Sequence, residues 1–146
     1  MNTSYAALLE QLTPLIRDAG RVIMDIYATD FDVTKKGDDS PVTQADQKAE
    51  TVILAGLAKV APGIPVVAEE AVSAGNIPDV SDRFFLVDPL DGTKEFISRN
   101  GEFTVNIALI EQGKPVLGLV YAPAIGRMFT GAVGVGAWLE EEGQAK

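Results

Sequence analysis

The hydrophobic period of this chain changes at Pro62-Gly63, and that change limits its fold more than any other feature. Before it, Leu8, Leu9, Leu12, Leu15, Ile16, Ala19, Val22, Ile23 and Ile26 recur at the spacing of an α-helix. They give a long amphipathic helix from Tyr5, with Pro14 placed to distort it locally. Val52, Ile53, Ala55, Leu57 and Val60 continue a second helical pattern. Thr43 and Asp46 stand three apart at its start, close to a capping box with Asp in place of Glu. Beyond Pro62-Gly63 the apolar runs become short. Residues 65–68 and 83–87 read as buried strands whose C-terminal ends deliver Glu69-Glu70 and Asp88. Residues 103–110 and 116–121 form a hairpin around Gln112-Gly113-Lys114-Pro115, and 127–130 and 137–139 are further short strands. Segments 35–41 and 74–79 are polar and punctuated by Gly or Pro, and read as loops. The order predicts an α+β fold in one domain, with a mixed or antiparallel sheet that needs more chain to be covered.

Composition narrows the chemistry. The 146 residues are 47% hydrophobic and 23% charged, enough for a sizeable core and ordinary for a globular chain. A formal charge of −9 argues against a nucleic-acid-binding surface, which needs clustered Lys and Arg. It leaves an anionic substrate open, because a bound divalent cation reverses the local potential. The chain has neither cysteine nor histidine. Disulfides, thiolate nucleophiles, Ser-His or Cys-His catalysis and most transition-metal sites are thereby removed. Hydrolytic chemistry would run on carboxylates, hydroxyls, Lys or Arg, and hard metals that prefer oxygen. Residues 1–4 lack the basic and apolar regions of a signal peptide, and no apolar run is long enough to span a membrane. A cytoplasmic protein is expected.

Four acidic positions stand out by placement: Asp46 at a helix start, Glu69 and Asp88 at strand ends, and Asp91 in the turn after a strand. A divalent cation held by carboxylates, with positions left open for water and phosphate, needs acids from several elements in this way. Pro89 fixes φ between the two aspartates, and Gly92 permits close backbone approach to a ligand. Thr93 offers a hydroxyl and a backbone N–H at a helix start, where phosphate binding is favoured. Singly, each has an ordinary reading: Asp91-Gly92 is a common turn pair, Glu69-Glu70 a solvated loop charge, Asp46 a helix-start charge and Thr93 a cap. Together, without a basic cluster to neutralise them, they would repel one another unless a cation joined them. The D-x-D-G-T motif of haloacid dehalogenase phosphatases does not fit, because Pro89 and Leu90 separate Asp88 from Asp91. An EF-hand does not fit either, since Leu90 and Gly92 fall where acids are required.

Asp88-Pro89-Leu90-Asp91-Gly92-Thr93 matches in full the D-P-[IL]-D-G-T signature of the inositol monophosphatase-like superfamily. Glu69-Glu70 matches its upstream Glu-Glu pair, and 42–46 its V-T-x-x-D element. Within the superfamily the chain most resembles the CysQ-type 3'(2'),5'-bisphosphate nucleotidases. The resemblance rests on Lys36-Gly37-Asp38-Asp39-Ser40-Pro41-Val42-Thr43, Lys94-Glu95-Phe96-Ile97, residues 102–108 and Tyr121-Ala122-Pro123. It implies an αβαβα layered sandwich, of which residues 1–146 are the N-terminal part of a single phosphatase domain. The family's later Trp-Asp motif is not met here, because Leu139 follows Trp138. The resemblance further implies two or three Mg²⁺ ions with inhibition by Li⁺. Glu69, Asp88, Asp91 and the Leu90 carbonyl would be metal ligands. Glu69, Leu90, Asp91, Gly92, Thr93 and Lys36 would contact the substrate. Asp46 and Thr93, with Glu69, would be catalytic, orienting and deprotonating a water. The implied substrate is 3'-phosphoadenosine 5'-phosphate, a small phosphorylated nucleotide cleaved to AMP and phosphate in sulfate assimilation. Three alternatives stay open: an inositol monophosphatase or another superfamily phosphomonoesterase, a catalytically inactive truncated fragment, and, for assembly, a homodimer beside a monomer. Peripheral attachment at the inner membrane is open as well.

Overall fold

Ser4 opens the first helix by accepting the Ala7 N–H at 3.1 Å on its hydroxyl. The computed structural model describes residues 4–28, 41–68, 83–98 and 101–141. Helix α1, Tyr5–Tyr27, runs unbroken through Pro14. Pro14 lies on the exposed side, where the Glu10 carbonyl that loses its N–H partner faces solvent. The face opposite buries Leu8, Leu12, Ile16, Ala19 and Ile23, at the expected helical spacing.

Helix α2, Pro41–Val60, starts two residues before the expected Thr43. Proline is well suited to a first helical position, where an N–H has no intrahelical acceptor. Thr43 and Asp46 therefore lie inside the helix, its first turn holds no acidic residue, and the capping-box expectation is corrected. Pro41 also leaves the loop expected over 35–41, whose other residues lie outside those described, as does the loop expected over 74–79. Ala45, Ala49, Ile53 and Leu57 form a buried stripe along α2, which ends near Pro62 and Gly63 as expected. No described helix is long and apolar enough to cross a membrane.

Six strands follow among the described residues: β1 Val66–Ala68, β2 Arg83–Asp91, β3 Thr104–Glu111, β4 Lys114–Ala122, β5 Arg127–Ala132 and β6 Gly136–Glu141. A short helix, α3 Thr93–Ser98, separates β2 from β3. The strands pair in chain order in one sheet, β1 parallel to β2 and every later pair antiparallel. Gln112 at φ 51° and Gly113 at φ 77° close the β3–β4 hairpin as a two-residue loop with positive φ at both positions, the geometry that suits strand twist. Lys114 and Pro115, read as turn residues, belong to β4 instead. A register shift between Leu109 and Ile110 accommodates Pro115, which has no N–H to give the ladder.

Alternation along the strands separates two faces. Phe85, Val87, Val105, Ile107, Leu109, Leu117, Leu119 and Tyr121 are buried against α1 and α2, each side chain stabilising the fold by roughly 1.5–3 kcal/mol. Gly20 brings α1 onto the sheet, since a Cβ there would lie 2.4 Å from the Tyr121 ring. Leu86, Val120, Phe129 and Leu139 lie on the other face and are about half exposed. At the end of the sheet away from Asp91, the Tyr5 hydroxyl donates to Glu111, and Arg83 Nε donates to the same carboxylate at 2.6 Å. That network ties α1 to β2 and β3.

Candidate active site at the end of strand β2

Residues 88–91 were expected to form a turn, but β2 continues through them to Asp91. Asp88 pairs with Asn106 and Asp91 with Thr104, so three steps along β2 match two along β3. One extra residue is therefore bulged out of β2, and Pro89, which cannot donate to a ladder, falls within the irregular stretch. The bulge decides where the carboxylates go. In a regular strand, side chains three residues apart point to opposite faces. The extra residue restores the match, so Asp88 and Asp91 share a face. Two contacts show this: Asp88 and Asn106 line the same trough on the open face, with Val67, Leu86, Ala108 and Val120, and Asn106 Nδ2 donates to Asp91 Oδ2 at 3.2 Å. Leu90, between the aspartates, is buried in the core and anchors the strand end from the other side.

Gly92 turns the chain from β2 into α3. Its φ of +96° is a region L side chains rarely adopt, and a Cβ there would lie 3.2 Å from the Phe103 Cα and 3.0 Å from a Glu95 carboxylate oxygen. Its carbonyl accepts the Phe96 N–H at 3.0 Å, so Gly92 caps the helix and Thr93 is the first helical residue. Thr93 is exposed, and as a first helical residue its N–H has no intrahelical acceptor. Under this corner Tyr27, Phe96 and Phe103 pack in a triangle, with ring centroids 5.3, 4.9 and 5.2 Å apart. Their edge and tilted contacts are of the favourable kind and fix the corner to the end of α1.

The structure thus brings together Asp88, Leu90, Asp91, Gly92 and Thr93. Asp46 lies in the second turn of α2, a helix that packs on β2 and touches α3. Its expected place at a helix start is corrected by the earlier start at Pro41. Glu69 and Lys36 lie outside the described residues. Among the described residues no group of three acidic side chains converges. The described site fits a hard cation in donor type: two carboxylates from one strand end, with a buried amide oxygen, Asn106 Oδ1, beside them and lacking a partner. Asn106 was not singled out from the sequence. Its only available signal is its polarity inside the apolar alternation of 103–110, and its pairing with Asp88 depends on strand register.

The sequence profile of the inositol monophosphatase family matches residues 5–146. The chain belongs to that family. Among relatives in the inositol monophosphatase family, the 3'(2'),5'-bisphosphate nucleotidase CysQ of Salmonella typhimurium is 57% identical over 141 residues, covering 95% of this chain and 57% of the relative. The protein of the same name from Escherichia coli K12 is 52% identical over 141 residues. The chain spans about half the length of the curated relatives it matches. Among solved structures, CysQ from Bacteroides thetaiotaomicron superposes with a TM-score of 0.78 at 38% identity, covering 94% of this chain and 52% of that one. An inositol monophosphatase from Anabaena gives 0.77 at 28% identity, covering 94% and 48%. The α+β fold expected from the sequence is the inositol monophosphatase-family fold.

Proposed function

We propose that this protein is an Mg²⁺-dependent phosphomonoesterase that removes the 3'-phosphate of 3'-phosphoadenosine 5'-phosphate, giving AMP and phosphate. The observation that carries the reading is the bulge that turns Asp88 and Asp91 onto one face, beside an unpaired amide oxygen. Family membership supports the reaction class. The nucleotidase name carried by relatives at 57% and 52% identity supports the nucleotide substrate over inositol phosphates.

Asp88, Asp91, Glu69 and the Leu90 carbonyl would hold the cation. When bound, Mg²⁺ supplies Lewis-acid activation of water and neutralises charge on the phosphoryl oxygens. Thr93 and Asp46 orient the attacking water, and the Asp46 carboxylate takes its proton. The water oxygen bonds to phosphorus as the bond to the ribose 3'-oxygen breaks, and that oxygen leaves as the alcohol after gaining a proton from solvent. Gly92 and Thr93 present backbone N–H groups to the phosphate, Lys36 adds positive potential, and no covalent enzyme intermediate is needed. That agrees with a chain lacking both His and Cys. Li⁺ competes for the site and inhibits.

Phosphate release by the purified protein should require Mg²⁺, stop in EDTA, and fall to background in Asp91→Asn. Equal turnover in EDTA would sink the metal mechanism. Faster hydrolysis of inositol 1-phosphate than of the nucleotide would replace the substrate.

A further inference from the structure

We infer that Asn106 is a positioning residue that sets the Asp91 carboxylate for cation binding. The inference rests on the reading of Asp88 and Asp91 as cation ligands. Asn106 sits on β3 directly opposite Asp88, and β3 is paired on both sides, to β2 and to β4 through Asn106 and Val120. Its backbone is therefore held by two ladders rather than by a loop. Its Nδ2 donates to Asp91 Oδ2 at 3.2 Å, across the bulge. The amide has only one workable orientation: turned over, its oxygen would face the carboxylate and set two acceptors together. Asn106 Oδ1 is then directed away from Asp91, buried, and without a partner. A buried acceptor left unpaired is destabilising, and native structures keep few of them.

The ordinary reading is that Asn106 merely fills a cross-strand position. It does not account for the arrangement. Its strand neighbours on the open face are Thr104, Ala108 and Ile110, and an apolar residue at 106 would strand no acceptor. What asparagine adds is one donor aimed at Asp91, and it does so although its other end leaves a buried acceptor without a partner. The donor restricts the rotation of a carboxylate that would otherwise sample several rotamers beside a bulge. Outer partners of metal-binding carboxylates characteristically act this way, and their loss typically weakens metal binding 10- to 100-fold.

The test is Mg²⁺ and Mn²⁺ titration calorimetry on the full chain and on Asn106→Ala, with the urea midpoint of each measured free of metal. Asn106→Ser serves if the alanine variant does not fold. The expected result is a Kd raised about 10- to 100-fold, with a metal-free midpoint equal to or slightly above that of the unmodified chain. A change in Kd below about twofold, under the range typical of such outer partners, overturns the inference alone. A midpoint that falls in step with affinity also overturns it, since the role is then structural. Failure of the unmodified chain to bind either cation overturns the cation reading itself and the inference with it.

Discussion

The corner at Gly92 offers a test in which two energetic terms separate cleanly. Gly63 and Gly92 have nearly the same positive φ, +91° and +96°, but a Cβ at Gly63 would meet nothing within 4 Å. Replacing Gly63 by alanine thus measures the backbone cost of a side chain at positive φ, about 1–2 kcal/mol. At Gly92 the same cost applies, and the new Cβ also lies 3.2 Å from the Phe103 Cα. That neighbour is backbone, held by the Tyr27, Phe96 and Phe103 triangle, so it cannot swing aside. Overpacking of this kind adds about 1–3 kcal/mol. Gly92→Ala should then cost about 2–5 kcal/mol, the sum of those two ranges. The difference between the variants isolates packing. Urea midpoints at unchanged slope, converted to free energies, give both values. If the two variants lose the same stability, the close packing of Gly92 on Phe103 is wrong. If Gly92→Ala loses stability while keeping full Mg²⁺ affinity, the corner does not shape the site.

Phe103→Ala should cost about 3–5 kcal/mol, by emptying the fully buried centre of the aromatic triangle, and urea unfolding will read it. Gly20→Ala sets a helix-propensity gain of about 1 kcal/mol against the buried Tyr121 ring, 2.4 Å from the new Cβ. Overpacking should win, so the midpoint should fall rather than rise. The Tyr5 hydroxyl has its pKa raised, chiefly by the hydrogen bond it donates to Glu111, with burial and the carboxylate charge adding and Arg83 opposing. A raised folded-state pKa gives stability that is complete below the unfolded value near 10 and disappears as pH rises through the folded one. Melting temperature measured from pH 8 to 11 should therefore fall less steeply for Tyr5→Phe than for the unmodified chain, and identical slopes would refute the contact.

The parts legible in the sequence are those fixed by local physics. The period of Leu8, Leu12, Ile16 and Ile23 identifies α1, and Gln112-Gly113 marks a hairpin because glycine suits the positive φ a tight loop needs. The motif around Asp88 and Asp91 is equally visible, with its two acids, its glycine and its threonine. What stayed hidden depends on pairing between distant segments. Asp88 through Asp91 look like a turn because Pro89 and Gly92 are turn residues, yet β3 extends alongside and recruits them into the sheet. Asn106 carries only a weak local mark, its polarity in an apolar run; its significance comes from lying opposite Asp88. Pro41 reads as loop punctuation in the sequence but is the first helical residue, so α2 starts earlier than its apolar pattern predicts.

The bulge in β2 also says something about which changes of length this segment tolerates. A strand end is usually forgiving, since a residue lost there shortens the ladder by one step and the loop takes up the slack. Between Asp88 and Asp91 the two consequences part company. Removing Pro89 or Leu90 would relax the ladder into regular pairing, a change the sheet could absorb. The two aspartates would then be separated by a single residue, and pairing in register with β3 would no longer require the extra step. The proline-leucine pair therefore sets the bulge, the corner at Gly92 and the buried Leu90, while a segment one residue shorter would still put both acids on one face. Insertions and deletions belong elsewhere, at exposed hairpins such as 133–135.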